Sequence, residues 1–383
     1  MTSLSRIAFL GGQYLHDETS GLNGTQVQLH MLSTGLARRG HEVHYLATTR
    51  DKTLAAEGAH GIRLHWLPPA GLLFGWLADI RAVWKTLDAI EPAVIYQRGR
   101  SNWTYAGAAW AKKNGAKFIW ASNGEDSCDF WRSIKRTWRS PRPLWRKVVL
   151  SVLYFIPDIL IHRGVKQSSQ VINQTINQKN RLLENYGKTG MILPSYFPQT
   201  RSDLAIKDNV VLWLANAGPG KRPHIFVDLA RECLDLKGWR FVLAGPIHKS
   251  PYGEQLVQDA QQVPNLDVIG GVPFDESDDW YRKASLFVNT SGPTSEGMPN
   301  AFIQAWHAGT PVMSLHHNPN FWISDYELGH WAHDDFDMLV RRTRDLIQDP
   351  QRAARISDQC RIFAAETFGD ENIIERYGDV FAG

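Results

Sequence analysis

Cysteine is scarce: Cys128, Cys233 and Cys360 are the only three in 383 residues, far apart and without a CxxC pair. That scarcity excludes a disulfide framework and a zinc ribbon, and it fits a reducing compartment. A charge excess is also missing. Lys+Arg 42 against Asp+Glu 39 leave a formal net charge of +3, which makes no global case for nucleic acid. The amino-terminal MTSLSRIAFLGG has too short an apolar run for a signal peptide and no small-residue cleavage site. No stretch of about 18 apolar residues occurs, so no spanning helix is expected. The nearest candidate, VVLSVLYFIPDILI at 148–161, is short and interrupted by Pro157 and Asp158. There is no short-period repeat. These absences leave a cytoplasmic chain, soluble or peripherally bound to a membrane.

What is present is an alternation of short β-rich runs and amphipathic segments, the pattern of parallel sheets covered by helices. Strands are expected at RIAFL (6–10), 41–47, 62–66, 94–97, KFIWA (117–121) and 170–172, with a helix over 25–39. The segment LPSYFPQTRSDLAIKDN (193–209) breaks the pattern, which then restarts with strands at 209–215, 240–245, 266–270 and 285–290. Helices are expected at 222–236, 276–283, 350–366 and 370–381. A chain of this length exceeds what one core usually supports. The reading is an α/β fold of two doubly wound parallel-sheet domains, 1–195 and 196–368, with a ligand cleft between them. A helix over 369–383 would pack back on the first domain.

The most informative stretch is SEGMPNAFIQAWHAGTPV at 295–312. Pro299 suits a first helical turn, because its missing N–H is not needed there. The unpaired amides of that turn and the helix dipole favour an anion. Gly297 lets a ligand approach the backbone, and Glu296 is placed to accept hydrogen bonds from sugar hydroxyls. By local features alone the plainer reading is the favoured one, with Glu296 capping the helix, Pro299 starting it and Gln304 solvated.

SEGMPNAFIQAWHAGTPVMS resembles the signature of retaining glycosyltransferases of family 4, which have the GT-B fold. Glu296, Gly297, Pro299, Ala305, Gly309, Pro311 and Val312 match, while Gln304 stands at the second acid. Further resemblance lies in NGTQVQLHMLSTGLARRGHEVHYL (23–46), with Asn23–Gly24 at the family's glycine pair, in VLWLANAGPGKRPHIFVDLA (211–230) and in NLDVIGGVPFDESDDWYRKASLFVNTS (265–291). It covers essentially the whole chain in order.

The resemblance implies a nucleotide-diphosphate-sugar donor as co-substrate, no metal and no other cofactor. It assigns the diphosphate to Lys221, the transferred sugar to Glu296, and sugar and phosphate to the backbone of Gly297, Met298, Pro299, Asn300 and Ala301. Gln304 would reach the ribose, Gly271, Val272 and Pro273 the base, and Gly24 the distal phosphate. Asn216 stands where the family has a leaving-group Arg. Loss of one charge-assisted hydrogen bond, about 1.5–3 kcal/mol, corresponds to roughly 10- to 150-fold in rate. In this family the leaving phosphate itself takes the acceptor proton, so Glu296 and Lys221 carry the catalysis by positioning and charge stabilisation. His330 and His333 have a ligand-like spacing but no third partner.

On the acceptor side, Asn123, Glu125 and Asp126 follow one expected strand and Arg98 another; each is readable as a hydroxyl binder or as a polar surface turn. WRSIKRTWRSPRPLWRKVVL (131–150) carries Arg132, Lys135, Arg136, Arg139, Arg142, Arg146 and Lys147, no acid and three tryptophans. Basic plus aromatic composition suits an anionic membrane surface; a solvated loop and an anionic-glycan site are the alternatives, and nothing else supports nucleic acid. The expected function is retaining transfer to a glycan or lipid-linked acceptor in bacterial surface polysaccharide or glycolipid synthesis. Asn216 and Gln304 leave room for a weakly catalytic protein that binds nucleotide or glycan, or for hydrolysis or epimerisation of a nucleotide-sugar.

Overall fold

The protein was analysed as a computed structural model that describes residues 4–14, 24–49, 56–69, 75–198, 206–293 and 296–382. The chain forms two compact units. Of the described residues, one unit holds those up to Tyr196 together with those from Ile373 onward, and the other holds those within Phe197–Asn372. Asn23 and residues 199–205 of the expected linker lie outside the described residues.

The first unit begins with β1 (Arg6–Gly12), α1 (Gly24–Arg38), β2 (Glu42–Thr48), β3 (Arg63–Leu67), α2 (Gly75–Ile90) and β4 (Val94–Arg98). It continues with α3 (Asn102–Asn114), β5 (Lys117–Ala121), α4 (Arg132–Arg139), α5 (Leu144–Gln167), β6 (Gln170–Asn173), α6 (Ile176–Tyr186) and β7 (Met191–Ile192). The second unit begins with β8 (Asp208–Leu214), α7 (Pro223–Arg231), β9 (Arg240–Ala244), α8 (Pro251–Gln261), β10 (Leu266–Gly270) and α9 (Ser277–Lys283). It ends with β11 (Ala284–Asn289), α10 (Asn300–His307), β12 (Val312–Ser314), α11 (Trp322–Asp325), β13 (Gly329–Trp331), α12 (Phe336–Gln348) and α13 (Pro350–Phe368). A last helix, α14 (Asp370–Ala382), joins the first unit from Ile373.

Strand order is β3-β2-β1-β4-β5-β6-β7 in the seven-stranded sheet and β10-β9-β8-β11-β12-β13 in the six-stranded one. The pairs are parallel. These are the two Rossmann-like domains expected from the alternation. Both faces of each sheet are covered, so the strands bury residues of either parity. In β1, Ile7 and Phe9 enter one core cluster with Leu32, Tyr45 and Tyr377, while Ala8 and Leu10 enter another with Val83, Trp103 and Val165. Ile373, Ile374, Tyr377 and Phe381 of α14 are buried in the first of these clusters.

One expectation is overturned. The segment at 148–161 is not a short interrupted run but part of α5, a 24-residue helix that continues through Pro157 and is long and apolar enough to cross a membrane. A proline inside a helix removes one backbone hydrogen bond; tertiary contacts beyond it offset that loss. Asp158 is fully buried and accepts from the Ser133 N–H at 3.1 Å and the Ser133 hydroxyl at 2.8 Å, fastening the first turn of α4. At Gly164 a Cβ would lie 2.7 Å from the Thr104 carbonyl, so only glycine lets α5 approach α3 this closely. Local periodicity shows none of this.

In the second unit, α10 presents Phe302 and Trp306 to an aromatic cluster. The Trp306 ring centroid lies 5.6 Å from Phe302 and 5.4 Å from Phe363. Half-buried Lys207 fixes the carboxyl end of the helix, its Nζ donating to the Ala308 carbonyl at 2.8 Å and to Thr310 Oγ1 at 2.6 Å. The amino end of α10 is thereby held at the carboxyl edge of the sheet.

Candidate functional site

The order of the second sheet reverses between β8 and β11. In doubly wound sheets, ligands bind outside the carboxyl ends of the strands at such a reversal. Lys221 stands there, in the turn Pro219–Lys221 after β8, and Glu296 stands in the segment between β11 and α10. The two loops are stitched together. The Gly292 N–H donates to the Gly220 carbonyl at 2.9 Å. The Thr290 hydroxyl donates to the Lys221 carbonyl at 2.7 Å, and Arg222 Nε donates to the Thr290 carbonyl at 2.8 Å. Arg222 also reaches Asp334 Oδ1 at 2.7 Å, so its guanidinium holds the loops.

Within this frame Lys221 Nζ forms an ion pair with Glu296 Oε1, and the Ser291 hydroxyl donates to the same oxygen at 2.9 Å. His317 Nε2 lies 2.9 Å from the Gly292 carbonyl, an acceptor, so this nitrogen carries the hydrogen. Pro299, whose side chain makes no capping hydrogen bond, is the N-cap of α10. The local alternative for Glu296, a helix cap, is therefore not what this carboxylate does.

Burial raises the pKa of Glu296, but the charge and hydrogen bond of Lys221, then His317 and the Ser291 hydroxyl, outweigh it and hold the carboxyl below its ordinary value. A depressed carboxyl contributes stability above its unfolded pKa, about 4.3, that is lost as pH falls through the folded value. The expected outcome is a thermal midpoint of Glu296→Gln below that of the wild type at neutral pH, with the gap closing below about pH 4. A gap independent of pH would deny the pair this role.

Gln304 is buried on α10, its Nε2 donating to Ser277 Oγ of α9 at 3.2 Å. Gly297, Met298 and Pro299 are buried, and Asn300 and Ala301 are half-buried at the helix start. Asn216 lies in the loop after β8, where its carbonyl accepts from the Gly218 N–H at 2.8 Å. Gly271, Val272 and Pro273 follow β10, the edge strand, and are exposed or half-exposed. Between these segments stands Gly245, at φ +128°, where a Cβ would sit 1.8 Å from the Ala215 carbonyl oxygen. Gly245→Ala is expected to cost about 2–3 kcal/mol through strain and overlap, read as a lower thermal midpoint. An unchanged midpoint would contradict that close approach.

The remaining candidates, apart from His330 of the second unit, belong to the first unit. Gly24 opens α1. Beside it, the Asn123 Nδ2 donates to Thr25 Oγ1 at 2.7 Å. Arg98, the last residue of β4, is buried and donates to Ser195 Oγ at 2.9 Å. Glu125 and Asp126 are buried as well, and protein donors occupy them. Glu125 accepts from Thr175 Oγ1 at 3.0 Å and from Asn177, while Asp126 pairs with Arg132 at 3.1 Å and with Arg136. His330 lies in β13, where burial pushes its pKa down to about 4. Among the described residues no group of three or more His, Cys, Asp or Glu is placed to hold a metal.

The structure adds Thr290, Ser291, His317 and Asp334 to the site, none of which stood out in the sequence. The available signal was positional: a polar pair directly after the strand SLFVN, and His316–His317 shortly after VMS.

Residues 22–189 match the family model described as Glycosyltransferase Family 4, and residues 208–349 match that of Glycosyl transferases group 1. Each half of the chain thus matches a glycosyltransferase family model. The group 1 domain contains the whole Lys221–Glu296 frame, and the Family 4 domain contains Gly24, Arg98 and Asn123. No curated protein matches the sequence at a significant level. Solved structures share the fold of this chain at low identity. WaaG, described as a glycosyltransferase involved in lipopolysaccharide biosynthesis, is 14% identical with a TM-score of 0.72, covering 98% of this chain and 100% of its own. Sucrose-phosphate synthase from Thermosynechococcus elongatus is 15% identical with a TM-score of 0.70 over 98% of both chains. HepE from Anabaena, solved with UDP and glucose, is 17% identical with a TM-score of 0.68 over 99% of this chain and 100% of its own.

Proposed function

We propose that the protein transfers a sugar from a nucleotide-diphosphate-sugar to a glycan or lipid-linked acceptor with retained anomeric configuration. The observation that carries this reading is the Lys221–Glu296 pair beside the start of α10, whose N-cap is Pro299, at the strand-order reversal of the group 1 domain. An ammonium and helix amides suit a diphosphate, and a carboxylate kept ionised suits sugar hydroxyls. On donor arrival Lys221 leaves Glu296 for the diphosphate, and Glu296 turns to the sugar. The acceptor oxygen then forms a bond to the anomeric carbon as the bond from that carbon to the diphosphate oxygen breaks. The acceptor proton passes to the departing phosphate on the same face, which preserves configuration. Lys221 and the α10 amides stabilise the developing negative charge, and the step needs no protein base and no metal.

In this scheme Asn216 offers a neutral group where a leaving-group cation would help, and Arg222 is already engaged by Thr290, Ser291 and Asp334. That observation favours one second reading, a domain pair that binds nucleotide without efficient transfer. The likeness to WaaG supports a product in bacterial surface polysaccharide or glycolipid synthesis. Incubation with nucleotide-sugars and a panel of glycan and lipid acceptors tests the proposal, with proton NMR of the product. The expected result is a new glycoside with the donor's configuration. An inverted product contradicts the mechanism, and nucleotide binding without turnover over a broad panel favours the second reading.

A further inference from the structure

Exposed large apolar side chains are concentrated in one place. Ten of the 22 found among the described residues fall between Trp138 and Ile156, on α4 and the first part of α5. On α5, Trp145, Val148, Val149, Val152 and Ile156 recur at spacings of three and four, which puts them on one helical face. Trp145 is 63% exposed and Val152 71%. Such a contiguous patch marks an interaction surface.

The charges around it favour one occupant. Lys135, Arg132 and Arg136 face Asp129 and Asp126 in ion pairs and are partly neutralised. Arg139, Arg142 and Arg146 stand exposed at the amino end of the face, with the Arg146 guanidinium 5.1 Å from the Trp145 ring centre. Residues 131–150 contain no acid. A second copy docking face to face would bring these arginines together, whereas an anionic lipid surface complements them.

The packing of α5 sets the geometry. Asp158, Ile161, Gly164 and Val165 are buried in the first unit, so the carboxyl-terminal part of the helix is not available to lipid. The part before them, roughly 14 residues and about 21 Å at 1.5 Å per residue, falls short of a hydrocarbon core of about 30 Å. We infer that α5 docks on an anionic bilayer lying in the plane of its surface, with the Trp145–Ile156 face inserted and Arg139, Arg142 and Arg146 at the headgroups. An acceptor held in that bilayer is then presented to the Family 4 domain. The docking itself does not depend on the donor-site reading.

Flotation of the full chain with phosphatidylcholine vesicles, with and without phosphatidylglycerol, tests this, with circular dichroism and nucleotide-diphosphate titration as controls. The wild type is expected to float with the anionic vesicles only, with blue-shifted tryptophan emission, and to be released by alkaline carbonate. Val152→Glu and, separately, the triple change Arg139→Ser, Arg142→Ser and Arg146→Ser are each expected to weaken vesicle binding about tenfold or more. Folding and nucleotide binding should stay unchanged, which separates this outcome from failure of the donor site. Absence of wild-type flotation, binding by both variants as strong as that of the wild type, or retention in carbonate as a spanning protein would overturn the inference. A dimer abolished by Val152→Glu would assign the face to a second copy instead.

Discussion

Glu296→Ala is expected to slow sugar transfer by about 10- to 150-fold, the equivalent of one charge-assisted hydrogen bond of roughly 1.5–3 kcal/mol made in the transition state. The carboxylate has two functions that the substitution separates. It holds Lys221 in the free protein, and it is proposed to bind sugar hydroxyls in the complex. Removing it frees the lysine, so a nucleoside diphosphate lacking the sugar should bind at least as tightly to the variant. Loss of turnover with diphosphate binding retained is the expected pair of results, measured by initial rates and by titration. Unchanged turnover would remove Glu296 from the site.

Trp306→Ala is expected to destabilise the second unit by about 3–5 kcal/mol, the usual cost of truncating a buried aromatic. Trp306 is fully buried and touches Phe302, Trp322, Phe363 and Phe368. No single rearrangement fills so large a void in a cluster built from α10, α11 and α13. For a unit of this size the thermal midpoint should fall by about 10 °C. A shift of only about 1 °C would mean that α10 is not anchored by its back face. The site would then be less rigid than the Lys207 and Trp306 contacts imply.

Much of the fold was legible because parallel strands buried on both faces read as short apolar runs. KFIWA and LDVIG coincide with β5 and β10, and RIAFL lies within β1. The shortest strands carried no such signal: β7 has two residues and β13 only three, GHW. The course of α5 through Pro157 was hidden because it depends on Ser133, Ile134 and Thr104, which are distant in sequence. The site divides in the same way. Glu296 and Lys221 were legible through residue type and motif. Their contact joins residues 75 positions apart and exists because the topology sets the ends of β8 and β11 side by side. Ser291 and His317 were missed for that reason, since a serine after a strand and a histidine in a loop have no signature until the strand order is known.

The central claim is a diphosphate site at Lys221, and calorimetric titration of UDP, GDP and ADP tests it most directly when run on the wild type and on Lys221→Ala. One of the three is predicted to bind the wild type and to bind Lys221→Ala about tenfold or more weakly, with the variant still folded. Equal affinity for both proteins, or no binding by any of the three, would contradict it.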